Sequence, residues 1–353
     1  MILLLMFLCI WMFWSMINGK VLLQNFSIEA TLPLRGILAL GIIIHHIALW
    51  VELTLDEDSI IAQFCSLGAP IVAIFFFLSG YGLMKNLMIK GSVYLQGFLR
   101  RRLLKIVFPW LLCSFIYVLA AILFLGGHFC SIKNDWPFLP NAWFCVTITI
   151  YYIAFYLAAR CGKENYKKVL FVLWLFSVLY ISCLTLLCFE SWWWQTVSAF
   201  NVGMTVCVFE PNIRKILTKN YALMTCSLFI IALILSVVFS NIEKTKRPYS
   251  IILLGSLLTL LVYCLICGCK LYSNRIAQLL GSLSYEIYLV QGAVITLVYG
   301  KAYTYISNWW IFMALLVLLF IFIFAIVLKK VDRIVTEKLV PKVISGIRGI
   351  VYK

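Results

Sequence analysis

Apolar residues run along this chain in eleven stretches, with short polar or basic segments between them. The stretches are 2–17, 34–51, 67–84, 106–125, 141–159, 169–188, 192–208, 222–240, 250–268, 281–299 and 308–328. A helix that crosses a bilayer needs about 20 mostly apolar residues. Ten such helices and their loops consume nearly all of the 353 residues, so no room is left for a separate soluble domain. The pattern predicts an all-α fold, a polytopic transmembrane helical bundle of about 10–11 spanning helices. Two stretches differ from the rest. The run 192–208 opens on Trp192, Trp193 and Trp194, which read as an interfacial aromatic belt. The first run has 16 residues and no basic residue before it, unlike a signal peptide, and is read as an extra N-terminal transmembrane helix, with residues 1–30 as helix and linker.

Composition excludes a soluble globule. The chain is 64% hydrophobic and only 12% charged, where soluble domains carry roughly 25% charged residues. The net charge of +16 could suggest nucleic acid, but its distribution gives another reading. With segment 18–33 placed inside, 24 of the 29 Lys and Arg fall in inside segments and 5 outside. That asymmetry is the positive-inside rule of membrane proteins, so no nucleic-acid partner is expected. It favours counting all eleven runs, and it makes residues 329–353 a basic cytoplasmic tail. One outer segment, 241–249, runs against the rule with Lys244, Lys246 and Arg247. The thirteen Cys lie mostly within apolar runs, where Cys behaves as a small hydrophobe. Cys264, Cys267 and Cys269 lack a nearby His and a second Cys pair at zinc spacing, so no metal site is expected.

Polar groups inside apolar runs are the places to look for chemistry. The second run reads LRGILALGIIIHHIALWVE, with Arg35 at its cytoplasmic end and His45 and His46 deep inside. Eleven residues separate Arg35 from His46, which on a helix is about 16 Å and within about 20° of a whole number of turns. His45 points roughly 80° away from that face. Arg at the rim can grip a phosphate bidentately, and a neutral imidazole near mid-membrane can take a proton from a hydroxyl. The pair suits an elongated substrate with phosphate at one end and a reactive carbonyl at the other, such as an acyl-coenzyme A. The same residues are equally compatible with a snorkelling Arg and a packed His. The third run adds FFFLSGYGLMK, residues 75–85, whose Ser79, Gly80, Tyr81 and Gly82 permit close helix approach and also leave backbone open to a ligand. In FLRRRLLKIVFPW, residues 98–110, Arg102 and Lys105 are neighbours on one helix face; they can hold nucleotide phosphates or simply mark a cytoplasmic boundary.

Taken together, these elements resemble the acyltransferase 3 family of membrane acyltransferases, over Thr31 to about Leu328. LRGILALGIIIHH matches its Arg, ten residues, His signature with Arg35 and His46 in the fixed positions. FFFLSGYGL matches its Ser-Gly-aromatic stretch. RRRLLKIVFPW matches its basic helix start, with Arg102 and Lys105 in the places of an Arg-x-x-Arg pair. LGSLSYEIYLVQG, residues 280–292, matches a late Ser-Tyr…Tyr-Leu stretch, and Asn141-Ala142-Trp143-Phe144 looks like its Trp-Phe segment. The family is mainly bacterial and mostly O-acetylates surface glycans.

The resemblance implies transfer of an acyl group, acetyl in the family's usual case, from cytoplasmic acyl-CoA to a hydroxyl of a surface or secreted glycan. His46 is the expected catalytic residue. Arg35, Ser79, Tyr81, Arg102 and Lys105 are the expected donor-binding residues, and acetyl-CoA is a donor substrate rather than a resident cofactor. Expected partners are the acyl-CoA, a glycan or lipid-linked glycan acceptor, and membrane lipids, at a multi-pass position in a bacterial plasma membrane. The chain departs from the family pattern at two places: Gln291 stands where the late motif often ends in His, and Lys105 keeps charge but loses the guanidinium fork. No esterase-like domain follows the last run, so a stand-alone form is expected. Glu52 and Glu286 are the carboxylates that could orient His46, but Glu52 lies about 240° round the helix from it and neither is assigned that role. The rival readings are a transporter or flippase of lipid-linked glycan, which would not require aligned Arg35 and His46, and a degenerate relative acting as an assembly partner.

Overall fold

The computed structural model describes residues 2–17, 26–52, 60–124, 139–240, 242, 247–268, 274–302 and 306–336. Each of the eleven apolar runs contains an α-helix, and among the described residues there are no strands. The first helices are α1 (Ile2–Ile17), α2 (Ile28–Glu52), α3 (Gly68–Lys90), α4 (Phe98–Phe124), α5 (Trp143–Gly162) and α6 (Tyr166–Leu186). They are followed by α7 (Ser198–Val208), α8 (Glu210–Ser240), α9 (Arg247–Gly268), α10 (Arg275–Ser282), α11 (Ser284–Ala302) and α12 (Ile306–Ile334). Eight helices among the described residues are long and apolar enough to cross a membrane, and the broken pair α10 and α11 makes a ninth. The other two runs correspond to α1, with 16 residues, and α7, with 11.

Local chemistry sets several helix starts. α2 begins six residues before its apolar run because Ser27 caps it: the Ala30 N–H donates to Ser27 Oγ (3.3 Å), and Glu29 lies in the positively polarised first turn. Asn165 caps α6 by accepting from the Lys168 N–H (3.0 Å), and Asn274 caps α10 by accepting from the Ala277 N–H (2.7 Å). Inside α8, Asn220 leaves helical geometry (φ −135°, ψ 40°) and divides a basic first segment from the apolar remainder.

The chain divides into two units, with α5 shared between them at Tyr152. The first comprises Met1–Glu52, Asp56–Gln96 and Ile153–Ser282. Its centre is α3, which packs on α7, α9 and α2; α10 lies against α2, and α1 packs on α8 and α9. The tightest contact is between α3 and α7. A Cβ at Gly80 would collide with the Phe200 carbonyl, and one at Gly203 would collide with the Phe77 carbonyl. Small residues on both helices therefore bring the two backbones into contact, as membrane helices do when no solvent drives them together. The second unit comprises Leu53–Leu55, Gly97–Tyr152 and Leu283–Lys353, where α11 packs on α12 and α4.

The length of α7 revises the simple reading of run 192–208. Its first residues form a short 3-10 helix, Ser191–Trp193, and turns; only Ser198–Val208 is α-helical. Eleven residues rise about 16 Å, half of a hydrocarbon core of about 30 Å. Yet the later ends of α3 and α7 lie together: Phe200 and Gly203 rest against Gly80 and Phe77, while Cys207 Sγ meets Met88 Sδ (3.8 Å) and Glu210, just past α7, meets Lys85 (2.7 Å). So α7 runs parallel to α3 and carries the chain back to the basic side, which keeps the charge pattern of the later loops intact.

Candidate active site

Arg35 and His46 lie on one helix, α2, which has no break between them, so the face shared by the two positions is preserved. Both side chains are half-buried. The start of α2 is covered by α10. A Cβ at Gly36 would come within 2.9 Å of the Ala277 carbonyl oxygen, and one at Gly281 would collide with the Leu32 carbonyl. The sequence stretch around Arg35 thus meets the first residues of the late 280–292 stretch.

The two histidines differ in how they are held. His45 Nδ1–H donates to the Phe64 carbonyl (3.3 Å), in the 3-10 helix Ile60–Ser66 that leads into α3. Its other ring nitrogen rests on Gly68, where any side chain would clash with the imidazole. His45 is therefore clasped between a carbonyl and a glycine. His46 lies beside it, tilted, with ring centroids 4.8 Å apart and an interplanar angle of 53°. The imidazole aligned with Arg35 is thus the one not used to anchor the outer turn.

Ser79 and Tyr81, both on α3, face different surroundings. Ser79 is half-buried and shares a face with Gly82, where a Cβ would meet open space, and with Asn86, whose amide donates to the Gly82 carbonyl (2.7 Å). Tyr81 is buried, and its hydroxyl donates to Glu210 (2.9 Å). The Ser79 face is open beside Gly82, while the Tyr81 phenol is engaged inside the protein.

Glu210 was not singled out from the sequence. Its carboxylate is 7% exposed and accepts from Tyr81, from Lys85 Nζ (2.7 Å) and from Arg214 Nε (3.1 Å). A buried carboxylate between two cations and a phenol has both oxygens engaged as acceptors, and this ties α3 to the start of α8. Phe26, Phe77 and Tyr263 surround Tyr81, with Phe26 and Tyr81 ring centroids 4.4 Å apart. The local signal was the spacing of Glu210 and Arg214, one helical turn apart.

In the second unit, Arg102 is half-buried and Lys105 exposed on the first turns of α4. The late stretch binds the elements around it. Tyr285 Oη–H donates to the Ile106 carbonyl (2.7 Å), near the turn of α4 that Pro109 interrupts, and Tyr288 Oη–H donates to the Asn141 carbonyl. Glu286 is paired with Lys329 (3.4 Å). Gln291 is fully buried, and its amide has no hydrogen-bond partner among the described residues. Cys264 and Cys267 are buried in α9, whereas Cys269, His128 and the tail from 337 onward lie outside the described residues.

A family model described as an acyltransferase domain, that of the acyltransferase 3 family, matches residues 34–328. The match begins one residue before Arg35 and ends within α12, leaving α1 outside it. No curated protein and no solved structure shows a significant match to the chain.

Proposed function

Since the chain belongs to the acyltransferase 3 family, we propose that this multi-pass membrane acyltransferase moves an acetyl group from cytoplasmic acetyl-CoA to a hydroxyl of a surface or secreted glycan at the cell membrane. The observation that carries the reading is the unbroken helix α2, with Arg35 and His46 about 16 Å apart on one face and His45 anchored elsewhere.

In this proposal Arg35 holds a phosphate of the donor at the cytoplasmic rim. Arg102 and Lys105 carry over from the family's basic pair, on sequence alone, as further phosphate contacts, and Ser79 lines the donor. His46 takes the proton of the acceptor hydroxyl as its oxygen attacks the thioester carbonyl. The tetrahedral oxyanion collapses, the carbon–sulfur bond breaks, and the imidazolium returns its proton to the coenzyme A thiolate. Tyr81 acts through Glu210 by fixing α3 rather than by touching the donor.

The reaction type is tested by mass spectrometry of surface glycans from cells with and without the gene. An added acetyl appears as about 42 mass units on a hydroxyl, the outcome of acyl transfer to a nucleophile. Glycans identical in the two strains would refute the proposed acceptor class.

A further inference from the structure

In the first unit, a cavity of about 680 Å³ opens between α1, α8, α9 and the 3-10 helix Ile60–Ser66. Its size falls within the range of about 300–1,000 Å³ typical of ligand pockets. The walls are hydrocarbon: Leu5, Met6 and Cys9 from α1, Phe229 and Leu233 from α8, and Leu254 from α9. Polar atoms come from Ser236 and Ser250 and from the exposed Gln63 and Ser66 at one edge, and among the described residues no charged side chain lines it.

Three features say what such a cavity would hold. The first is sidedness. Each of the four elements contributes the end that the basic-residue pattern places outside: the first half of α1, the last third of α8, the first residues of α9 and the segment between α2 and α3. The cavity therefore opens in the outer leaflet, the side of the glycan acceptor. The second is continuity with the histidines. Gln63 and Ser66 belong to the same turn as Phe64, whose carbonyl holds His45 beside His46. The polar edge of the cavity is thus the edge nearest the proposed base. The third is provenance. α1 forms one wall and lies outside the matched acyltransferase domain.

We propose that this cavity binds the hydrocarbon chain of a lipid-linked acceptor, with its polar head at the Gln63 and Ser66 edge, so that α1 adapts the transferase to an acceptor delivered on a lipid. This rests on the acyl-transfer reading for the acceptor's role, but the binding itself is measured separately.

The test uses the full chain in phosphatidylcholine vesicles with a diazirine-bearing polyprenyl phosphate, illuminated and mapped by mass spectrometry. A parallel sample carries a diazirine-bearing phosphatidylcholine. Polyprenyl labelling is expected to concentrate at Leu5, Met6, Leu233 and Leu254, to fall at least fivefold with excess unlabelled polyprenyl phosphate, and to fall similarly in Ser236→Phe. Ser66→Trp, at an exposed rim position, should lower it too, and thermal melts identify any variant that has lost its fold. Labelling no stronger in the cavity than on the exposed face of α6, or equal labelling by the phosphatidylcholine probe, would overturn the proposal and make the cavity a seat for bilayer lipid. Cavity labelling in a protein that transfers no acetyl would leave the binding site standing and remove the acyl-transfer reading instead.

Discussion

Gly203→Ala isolates the contact on which the first unit is built. The added methyl would collide with the Phe77 carbonyl, which belongs to the backbone of α3 and cannot rotate away. Relief requires α3 and α7 to separate, although both are buried around the contact: Phe77, Phe200 and Met204 are fully covered. Overpacking of this kind costs about 1–3 kcal/mol, and a rigid backbone partner puts it at the upper end. Replacing a helical Gly by Ala returns up to about 1 kcal/mol of helix propensity. The net loss is about 2 kcal/mol, and with about 2–4 °C per kcal/mol in domains of 150–250 residues, the melting temperature should fall by several degrees. Gly82→Ala is the internal control, because on the partner helix α3 its Cβ meets nothing within 4 Å. It should melt at or slightly above the wild-type temperature. The assay is a thermal melt of detergent-solubilised protein followed by intrinsic tryptophan fluorescence. Gly203→Ala melting with the wild type, or Gly82→Ala falling as far as Gly203→Ala, would refute the backbone-contact reasoning.

Other expectations follow from the same packing. Glu210→Ala removes the acceptor of three hydrogen bonds and leaves the buried Tyr81 hydroxyl without its partner, at about 1–3 kcal/mol for the orphaned group, while Lys85 can turn toward solvent; Glu210→Gln should recover part of the loss in the same thermal melt. Equal stability of Glu210→Ala and wild type would show the cluster to be incidental. Arg35→Ala should weaken coenzyme A binding about 10–100-fold in a calorimetric titration, the value of a charge-assisted phosphate contact, and Arg102→Ala should weaken it as well; unchanged affinity in both removes the phosphate assignment. Tyr285→Phe loses the bond to the Ile106 carbonyl and should lower the melting temperature by the equivalent of about 1 kcal/mol, with no loss expected if that bond is solvent-compensated.

Much of the architecture was readable from hydropathy because lipid imposes a minimum length on every spanning run. Nine of the runs became span-length helices or a broken pair for that reason, and α2 kept the Arg35 and His46 register since nothing between them breaks a helix. The length of α7 was not readable. Run 192–208 counts as a span by the charge pattern, but Trp194, Thr196 and Val197 are buried in turns, and only the part that packs onto α3 through Gly203 is α-helical. Glu210 looked like one acid in a basic segment; its partners Tyr81 and Lys85 lie 129 and 125 residues away, beyond any local pattern. The sequence also offered His45 and His46 as near equals apart from their facing. What separates them physically is the carbonyl of Phe64, 19 residues beyond His45 and supplied by a turn with no distinctive motif. Gln291 was legible as a departure from the family's late motif, while its complete burial was not.

The central claim is that His46 performs the proton transfer while His45 anchors the outer turn. The most direct measurement is acetyl content of the surface glycan in a strain lacking the gene and supplied with wild type, His45→Ala or His46→Ala, with membrane levels of the protein matched. Loss of a general base lowers a rate by about 10²–10⁴. The account predicts that His46→Ala abolishes acetylation, and that His45→Ala retains most of it while melting at a lower temperature. Wild-type acetylation by His46→Ala would contradict the account.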